Sequence, residues 1–257
     1  MIQETLSQKI IHVANLIKTT QHVVAFTGAG ISTDSGIPDF RSHDSGLWQG
    51  VDPMNVASIF GFKKNPSAFY NWVAPLTRTT IEAKPSAGHM ALADLERMGK
   101  LDSIITQNID MLHTRAGNKT IFELHGHMRE ATCINCFTVY DAKPILHKFL
   151  EDAEVPLCPT CGGVLKPNVI LFGEQLPIRA LQGAQDAARK CDLLIIIGSS
   201  LEVEPASDLP RLAYRTGAKI VIINLEPTPA DNMAEVVIHA RAAEALPAIV
   251  RELEKTG

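Results

Sequence analysis

Four cysteines near the middle of the chain constrain its fold more than any other feature. They form two Cys-x-x-Cys pairs with 21 residues between them, Cys133 with Cys136 and Cys158 with Cys161. Four thiolates at this spacing can close a tetrahedron around one zinc ion, with bonds of ~2.3 Å. A site closed by four thiolates has no open position for water, so we predict a zinc ion that holds the fold together.

The composition is that of a globular protein with a hydrophobic core. The chain has 257 residues, of which 46% are hydrophobic and 20% charged, enough for one large domain or for one large and one small domain. A net charge of −4 without a run of Lys and Arg argues against nucleic acid or an anionic membrane as partner. The N-terminal segment lacks the apolar stretch of a signal peptide. We expect a cytoplasmic, reducing location, where paired cysteines are metal ligands.

Apolar strands alternate with amphipathic helices along much of the chain. Predicted strands are residues 23–27, 103–106, 121–124, 193–197 and 219–223, and predicted helices are residues 7–18, 87–98, 178–190 and 206–216. Nearly continuous runs of Ile, Val and Leu are typical of strands that are buried on both faces of a sheet. The alternation predicts an α/β fold with a Rossmann-like, doubly wound parallel sheet.

Two stretches break this alternation. Residues 41–85 place aromatic side chains among prolines and glycines, and residues 128–168 contain the four paired cysteines. We predict that both are insertions, a helical module and a zinc-ribbon module, that together form a smaller domain. The Rossmann-like domain would then consist of residues 1–40, 86–127 and 169–257.

A glycine turn follows the first predicted strand, at the point where a dinucleotide-binding unit begins. Gly28 and Gly30 match the first two glycines of the dinucleotide fingerprint, but Thr33 stands where the third is expected. A purely structural turn therefore remains open. The following segment Pro38-Asp39-Phe40-Arg41 is more polar than a core turn needs, which favours a phosphate site. A helix beginning at the turn would aim its N–H groups at the phosphates.

Polar groups also follow four other predicted strands, at the edge where open parallel sheets bind ligands. They are Gln107-Asn108-Ile109-Asp110, Glu123-Leu124-His125-Gly126-His127, Gly198-Ser199-Ser200 and Asn224-Leu225-Glu226. A histidine can move protons near neutral pH, and the glycine after His125 favours a turn that exposes it. Helix capping, ordinary turn chemistry or a structural histidine is the alternative for each segment.

Taken together and in order, these motifs resemble those of the sirtuins, NAD-dependent protein deacylases, of bacterial or archaeal type. The matching segments are GAGIS…GIPDFR, TQNID, ELHGH, the paired Cys-x-x-Cys, KPNVILFGE, GSSLEVEPA and NLEP, which span roughly Val23 to Pro247. The resemblance implies a Rossmann-like NAD-binding domain and a small domain built from a zinc ribbon and a helical module. NAD and an acylated lysine would enter the cleft between them from opposite ends.

The resemblance also implies roles for individual residues. The implied cofactor-binding residues are Gly28, Ala29, Gly30, Thr33, Asp39, Phe40, Arg41, Gln107, Asn108, Ile109, Asp110, Gly198, Ser199, Ser200, Asn224, Leu225, Glu226 and Ala242, the last in the loop before the final helix. The acylated peptide would add as a strand by backbone pairing, with Ile170 lining the acyl-lysine channel. The implied substrate residues are Ile170, Phe172, Gly173, Glu174, Glu202, Val203 and Glu204.

The implied mechanism is not a hydride transfer. Asp110 and the Ile109 backbone would hold the nicotinamide amide while the glycosidic bond breaks and the acyl oxygen attacks the ribose. His125 would act as general base on a ribose hydroxyl, with Asn108 as the second catalytic residue. Nicotinamide, O-acetyl-ADP-ribose and deacetylated lysine would be released.

The acyl preference follows from one departure from the family pattern. Sirtuins that prefer succinyl or malonyl lysine carry a tyrosine and, three residues later, an arginine. Here Tyr70 is followed at that spacing by Val73. Without the cation an acidic acyl group has no charge-assisted partner, so we expect acetyl or longer neutral acyl groups.

Two other functions stay open on the sequence. The same NAD site could serve mono-ADP-ribosyl transfer, or the zinc ribbon could belong to a non-catalytic module that binds NAD or nucleic acid. The second would require an idle His125 and salt-sensitive DNA binding, which the acidic composition disfavours. The expected partners are acetylated proteins or peptides, and the sequence specifies neither the protein substrate nor the oligomeric state.

Overall fold

Two sheets and their flanking helices make up the part of the chain described in this computed structural model, residues 4–39, 47–48 and 50–255. The strands there are β1 (Val23–Thr27), β2 (Ser103–Thr106), β3 (Ile121–Glu123), β4 (Gly126–Cys133), β5 (Val139–Asp141), β6 (Leu165–Val169), β7 (Leu193–Ile197), β8 (Lys219–Ile223) and β9 (Val236–Ile238). The α-helices are α1 (Leu6–Thr19), α2 (Pro53–Val56), α3 (Ile59–Lys64), α4 (Pro66–Glu82), α5 (Ala87–Arg97), α6 (Leu112–Ala116), α7 (Ala142–Asp152), α8 (Ile178–Lys190), α9 (Asp208–Arg215) and α10 (Ala242–Lys255).

The larger sheet has six parallel strands in the order β3-β2-β1-β7-β8-β9. Every residue of β1, β2 and β7 is buried, as their apolar runs predict. Alternate side chains of these strands face opposite sides, where α1, α5 and α10 cover one face and α8 and α9 the other. The predicted doubly wound Rossmann-like sheet is therefore confirmed. The five predicted strands all lie in this sheet, and β9 joins them at its edge.

The smaller sheet has three antiparallel strands in the order β5-β4-β6. Its β4 and β6, with α7, share one apolar cluster with α3 and α4, so the two segments predicted as insertions pack on each other. Tyr70 of α4 and Phe149 of α7 join them with ring centroids 4.9 Å apart. The first strand of this sheet begins at Gly126, two positions before the predicted boundary at 128.

Two local predictions differ from the structure. No α-helix begins at the glycine turn, which instead continues as two short 3-10 turns, Ala29–Ile31 and Thr33–Ser35. The second ends at Gly36, whose φ of 83° is left-handed and stops the helical path. Ala242 is the first residue of α10 and does not lie in a loop before it.

Within residues 4–39, 47–48 and 50–255, no helix combines the length and the apolar character that crossing a bilayer requires.

Candidate active site

The carboxyl ends of the parallel strands open into a cleft of about 800 Å³. Every described residue that the sequence analysis proposed for cofactor or substrate binding lines this one cleft. These residues are Gly28, Ala29, Gly30, Thr33, Asp39, Gln107, Asn108, Ile109, Asp110, His125, Ile170, Phe172, Gly173, Glu174, Gly198, Ser199, Ser200, Glu202, Val203, Glu204, Asn224, Leu225, Glu226 and Ala242. Phe40 and Arg41 lie outside the described residues.

The floor of the cleft is a contact between two glycine turns, after β1 and after β7. The Gly30 N–H donates to the Gly198 carbonyl at 2.9 Å. A Cβ on Gly28 would lie 2.7 Å from the Gly198 oxygen, and a Cβ on Gly30 would lie 2.7 Å from the Gly198 Cα. Glycine is required at these positions because the two backbones meet there. The incomplete dinucleotide fingerprint is therefore not needed to explain these glycines.

A chain of hydrogen bonds fixes the polar groups beside this floor. The Asn108 Nδ2 donates to the Gly28 carbonyl at 3.0 Å and to Ser32 Oγ at 3.2 Å. Ser32 Oγ in turn donates to Asp110 Oδ2 at 2.7 Å. With its amide hydrogens committed, Asn108 keeps its side-chain carbonyl oxygen for a ligand in the cleft.

Asp110 caps a helix, one of the two roles considered for its segment, and it also lines the cleft. Its Oδ1 accepts the Leu112 N–H at 2.8 Å, so the carboxylate does support the start of α6. Burial raises its pKa, while the hydrogen bonds from Leu112 and Ser32 oppose that rise. The carboxylate is thus a fixed, buried acceptor in the wall of the cleft.

His125 lies in the turn between β3 and β4 and lines the cleft. The turn needs Gly126, with φ of 76°, because a Cβ there would lie 2.0 Å from the Asn168 carbonyl oxygen. The Nδ1 atom lies 3.0 Å from the Gln107 carbonyl oxygen. A carbonyl only accepts, so Nδ1 carries the hydrogen and Nε2 keeps a lone pair.

Two further features prepare the His125 ring as a proton acceptor. Burial lowers its pKa below 6.5, and the hydrogen bond to the Gln107 carbonyl opposes that shift, so the ring is neutral at pH 7. Among the described residues Nε2 has no hydrogen-bond partner. The backbone carbonyl of His125 accepts the Ile170 N–H at 2.9 Å, which ties the ring to the segment after β6.

The segment predicted to pair with a peptide is partly committed within the protein. Phe172 donates its N–H to the Ala57 carbonyl at 2.9 Å and accepts the Ile59 N–H at 3.0 Å. Among the described residues, only the backbone N–H and C=O of Gly173 within Phe172-Gly173-Glu174 are both without partners. On this side of the cleft, Gly173 therefore is the residue of this segment that offers both backbone groups to a ligand, a restriction that the sequence does not reveal.

The Glu174 side chain also has an internal role. Its Oε2 accepts from the Leu171 N–H at 2.8 Å and from Lys166 Nζ at 3.0 Å. Lys166 Nζ also donates to the Val169 carbonyl at 2.7 Å. Burial lowers the Lys166 pKa, and Glu174 opposes the shift. The pair holds the loop that carries Gly173.

The wall toward the helical module is apolar and carries no cation among its described residues. It includes Phe69, Trp72, Val73 and Leu76 of α4. Tyr70 points away, because its hydroxyl donates to the Leu165 carbonyl at 2.6 Å and only 1% of the residue is exposed. Burial raises the pKa of Tyr70 above its ordinary value, so the hydroxyl stays neutral and can donate. The tyrosine that the sequence offered for acyl recognition is a structural residue.

The four paired cysteines meet in the smaller sheet with geometry that suits one metal ion. All four Sγ atoms lie within 4.8 Å of one another. The Cys133–Cys161 and Cys136–Cys158 separations are 3.4 and 3.7 Å, close to the ~3.8 Å edge of a tetrahedron with 2.3 Å zinc–sulfur bonds. The thiolates fit a structural zinc ion, as predicted.

The turn after Cys161 brings the backbone close to the Cys133 sulfur. Gly162 has a φ of 72°, and a Cβ on Gly163 would lie 2.9 Å from the Cys133 sulfur. The N–H groups of Asn135 and Cys136 point at that sulfur from 3.4 and 3.5 Å. Backbone donors around a sulfur stabilise its thiolate form, which is the form that binds metal.

Some cleft residues were not found from the sequence. Ser32 belongs to the GAGIS segment and could have been noted as a polar group beside the glycines. Arg241 also lines the cleft and pairs with Asp34 at 3.1 Å, which joins the first turn to the start of α10. Nothing in the local sequence marks Arg241, because its partner is more than two hundred residues away.

Comparisons with known proteins agree with this geometry. The Sir2 family model matches residues 28–205, and the chain belongs to that family. The NAD-dependent protein deacylase 2 of Archaeoglobus fulgidus is 46% identical over 251 residues, which cover 97% of this chain and 98% of that protein. A solved Sir2 enzyme structure superposes with a TM-score of 0.91 at 46% identity, covering 97% of this chain and 99% of the other.

Two other solved structures contain ligands. A Sir2 complex with a p53 peptide and NAD+ has a TM-score of 0.86 at 39% identity, covering 94% of this chain and 97% of its own. Sir2Af2 bound to a myristoylated histone peptide has a TM-score of 0.84 at 41% identity, covering 96% and 97%.

Proposed function

We propose that this protein is an NAD-dependent protein-lysine deacylase that releases nicotinamide, O-acyl-ADP-ribose and free lysine. One observation carries the proposal: His125 presents an unprotonated, unpartnered Nε2 to the cleft that the glycine turns and the Asn108–Ser32–Asp110 hydrogen bonds also line. Membership of the Sir2 family and the named activities of its relatives support it.

The residues around the floor suit the two halves of NAD. Gly28, Gly30 and Gly198 line the floor of the cleft, where a pyrophosphate would lie close to the main chain. Asn224 and Leu225, at the end of β8, would face the adenosine half, together with Ala242 at the start of α10. Bound NAD would supply the ribose–nicotinamide bond whose cleavage drives the transfer.

His125 would accept a proton from a ribose hydroxyl at Nε2. Its Nδ1–H stays on the Gln107 carbonyl, so the ring keeps the correct tautomer throughout. Asn108 would orient the ribose with its side-chain oxygen, and Asp110 would accept from the nicotinamide amide. The buried position of Asp110 excludes water from that contact.

The acyl group would be neutral. Val73 lines the wall where a cation would be needed, and Tyr70 is occupied with Leu165. Desolvating a succinyl carboxylate against this wall has no compensating charge. Acetyl and longer apolar acyl groups fit it, which agrees with the myristoylated peptide held by Sir2Af2.

The presence of two separate sheets supports a division of the chain into two domains. The Rossmann-like domain would comprise residues 1–40, 86–127 and 169–257, with residues 41–85 and 128–168 as the small domain. The thiol ligands of the zinc site suit a reducing compartment, which supports a cytoplasmic location. Acylated proteins would be the partners.

The experiment that tests the function follows acetyl-lysine peptide and NAD by mass spectrometry. We expect release of nicotinamide that depends on the peptide, and His125→Ala should lower kcat by about 10²-fold or more. His147→Ala, an exposed histidine of α7, is the matched control and should leave kcat unchanged. Full turnover by His125→Ala would refute the catalytic assignment, and a lasting ADP-ribose adduct formed with NAD alone would favour ADP-ribosyl transfer.

A further inference from the structure

A second cavity, of about 390 Å³, lies between α8 and α9 on the outer face of the parallel sheet. We propose that this groove binds an acidic segment of the acylated substrate protein, at a distance from the modified lysine. The residues that matter are Arg189, Arg211 and Arg215 on its walls and Leu181, Leu209 and Leu212 on its floor; together they define the arginine groove.

The charge of the groove opposes that of the chain as a whole. Three guanidinium groups face a single carboxylate on its lining, that of Asp208, although the net charge of the protein is −4. Such a local excess of arginine selects anions, because each guanidinium can hold a carboxylate through two parallel hydrogen bonds.

The guanidinium groups are available to a ligand. Arg189 and Arg211 make only exposed ion pairs with residues three positions earlier on their own helices, Asp186 and Asp208, at 3.2 and 3.5 Å. Exposed pairs of this kind contribute little and exchange readily. Arg215 has no ion-pair partner among the described residues, at the exposed end of α9.

The groove adjoins the candidate substrate cleft at one residue. Pro205 lines both, directly after the Glu202-Val203-Glu204 segment that is proposed to contact the peptide. A peptide leaving the cleft along this segment would reach Arg211 and Arg215 next. The eight residues of α9 span about 12 Å, the length of about four extended peptide residues.

The occupant is defined by this order of charges. Glu202 and Glu204 would repel acidic side chains close to the acyl-lysine, whereas the arginine groove would attract them about four or more residues away. The leucine floor would also accommodate the aliphatic stems of glutamates. We therefore expect substrates with an acidic cluster at a distance from the modified lysine, on one side of it.

The inference rests on the proposed deacylase function, and a peptide series separates the two. Acetyl-lysine peptides carry three Glu, or three Gln, that begin four residues from the acetyl-lysine, with the tail on either the N-terminal or the C-terminal side. The enzymes are the wild type, the double variant Arg211→Gln/Arg215→Gln, and Arg179→Gln, an exposed arginine of α8 outside the groove, as the control. Thermal unfolding confirms that each variant is folded.

When the tail lies on one particular side of the acetyl-lysine, the wild type should prefer the Glu peptide over the Gln peptide by about three- to tenfold in kcat/KM, through a lower KM. Added salt should weaken the preference. The double variant should lose it while its activity on Gln peptides stays unchanged, and Arg179→Gln should retain it. Equal use of Glu and Gln peptides on both sides, or a preference that survives in the double variant, would overturn the proposal.

Failure of the deacylase function would look different. No turnover of any of the four peptides would contradict the proposed function alone. Fluorescence anisotropy with the unacylated Glu peptide then decides about the groove. Tighter binding by the wild type than by the double variant supports it, and equal binding overturns it.

Discussion

The two sheets of this protein are stabilised by different physics. The parallel sheet buries every residue of β1, β2 and β7, and helices cover both of its faces. The smaller sheet, β5-β4-β6, here called the cysteine sheet, is more open: Val139 of β5 is exposed, and so are Phe137 and Leu157. Apolar burial on both faces stabilises the first sheet, whereas the second combines an apolar cluster shared with α3, α4 and α7 with four thiolates that fit a metal ion, so we expect it to need the metal.

Removal of the metal should have the largest effect, and it should affect the cysteine sheet alone. Chelation or Cys133→Ser should abolish protection from hydrogen exchange in β4, β5 and β6, because structural zinc contributes on the order of 10 kcal/mol to small metal-dependent folds. Strands β1 and β7 should stay protected. Exchange is read by mass spectrometry.

The matched control is Cys191→Ala, which removes a buried thiol outside the metal site. It should keep about one zinc per chain. Full protection of the cysteine sheet in the metal-free protein would show that its apolar cluster is sufficient after all.

A cavity in the parallel sheet should have the next largest effect. Ile195 lies at the centre of β7 with 0% exposure, so Ile195→Ala should lower the free energy of unfolding by about 2–5 kcal/mol. Urea denaturation measures it. Ile178→Ala, at an exposed position of α8, should change it by less than about 0.5 kcal/mol. A loss of stability in Ile195→Ala that is confined to the cysteine sheet would contradict the assignment of Ile195 to the core of the parallel sheet.

Acid should weaken the parallel region through two buried imidazoles. His89 and His113 are 0% and 3% exposed, with ring centroids 4.8 Å apart. Burial lowers the His89 pKa to about 4, and burial followed by repulsion from His89 lowers the pKa of His113 well below 6.5. Below pH 6.5 the unfolded chain therefore binds more protons than the folded chain.

The stability from these histidines is fully present above pH 6.5 and is lost as the pH falls toward 4. For His89 the loss is on the order of 3 kcal/mol. Urea denaturation at several pH values, with zinc in excess, checks it. His89→Gln should flatten the dependence, and an unchanged slope in that variant would assign the acid sensitivity elsewhere.

The smallest effect concerns the contact between the cysteine sheet and the helical module. Tyr70→Phe leaves the buried Leu165 carbonyl without its donor and should lower the free energy of unfolding by about 1–3 kcal/mol. Tyr214→Phe, at a half-exposed position, should have no measurable effect. The preference among acyl groups should stay unchanged in Tyr70→Phe, and an altered preference would mean that the hydroxyl reaches the substrate.

The parallel sheet was predictable because its signal is local. Apolar runs such as residues 193–197 indicate buried strands, and the polar residues at the ends of these runs indicate the position of the cleft. Strand β9 was missed because a three-residue apolar segment has no measurable periodicity. Helices α2 and α3 were not individually predicted, since their short lengths depend on caps from Asp52 and Ser58.

The site could be predicted as a set of residues but not as a set of contacts. The commitment of Phe172 to Ala57 and Ile59 depends on tertiary pairing that no local pattern encodes. The same holds for the ion pair between Glu174 and Lys166, which stabilises a segment predicted only to pair with the peptide through its backbone. The arginine groove was invisible because its cations come from two helices separated by a strand.

The hydrogen bond between the His125 carbonyl and the Ile170 N–H joins the turn after β3 to the segment after β6. One side of it carries the imidazole, and the other carries Ile170, which lines the cleft and which we propose contacts the acyl chain. While this bond is intact, the backbone of His125 and that of Ile170 keep a fixed separation. The spacing from imidazole to acyl carbonyl would then stay constant, and chains of different length would be accommodated at the far end, away from the chemistry.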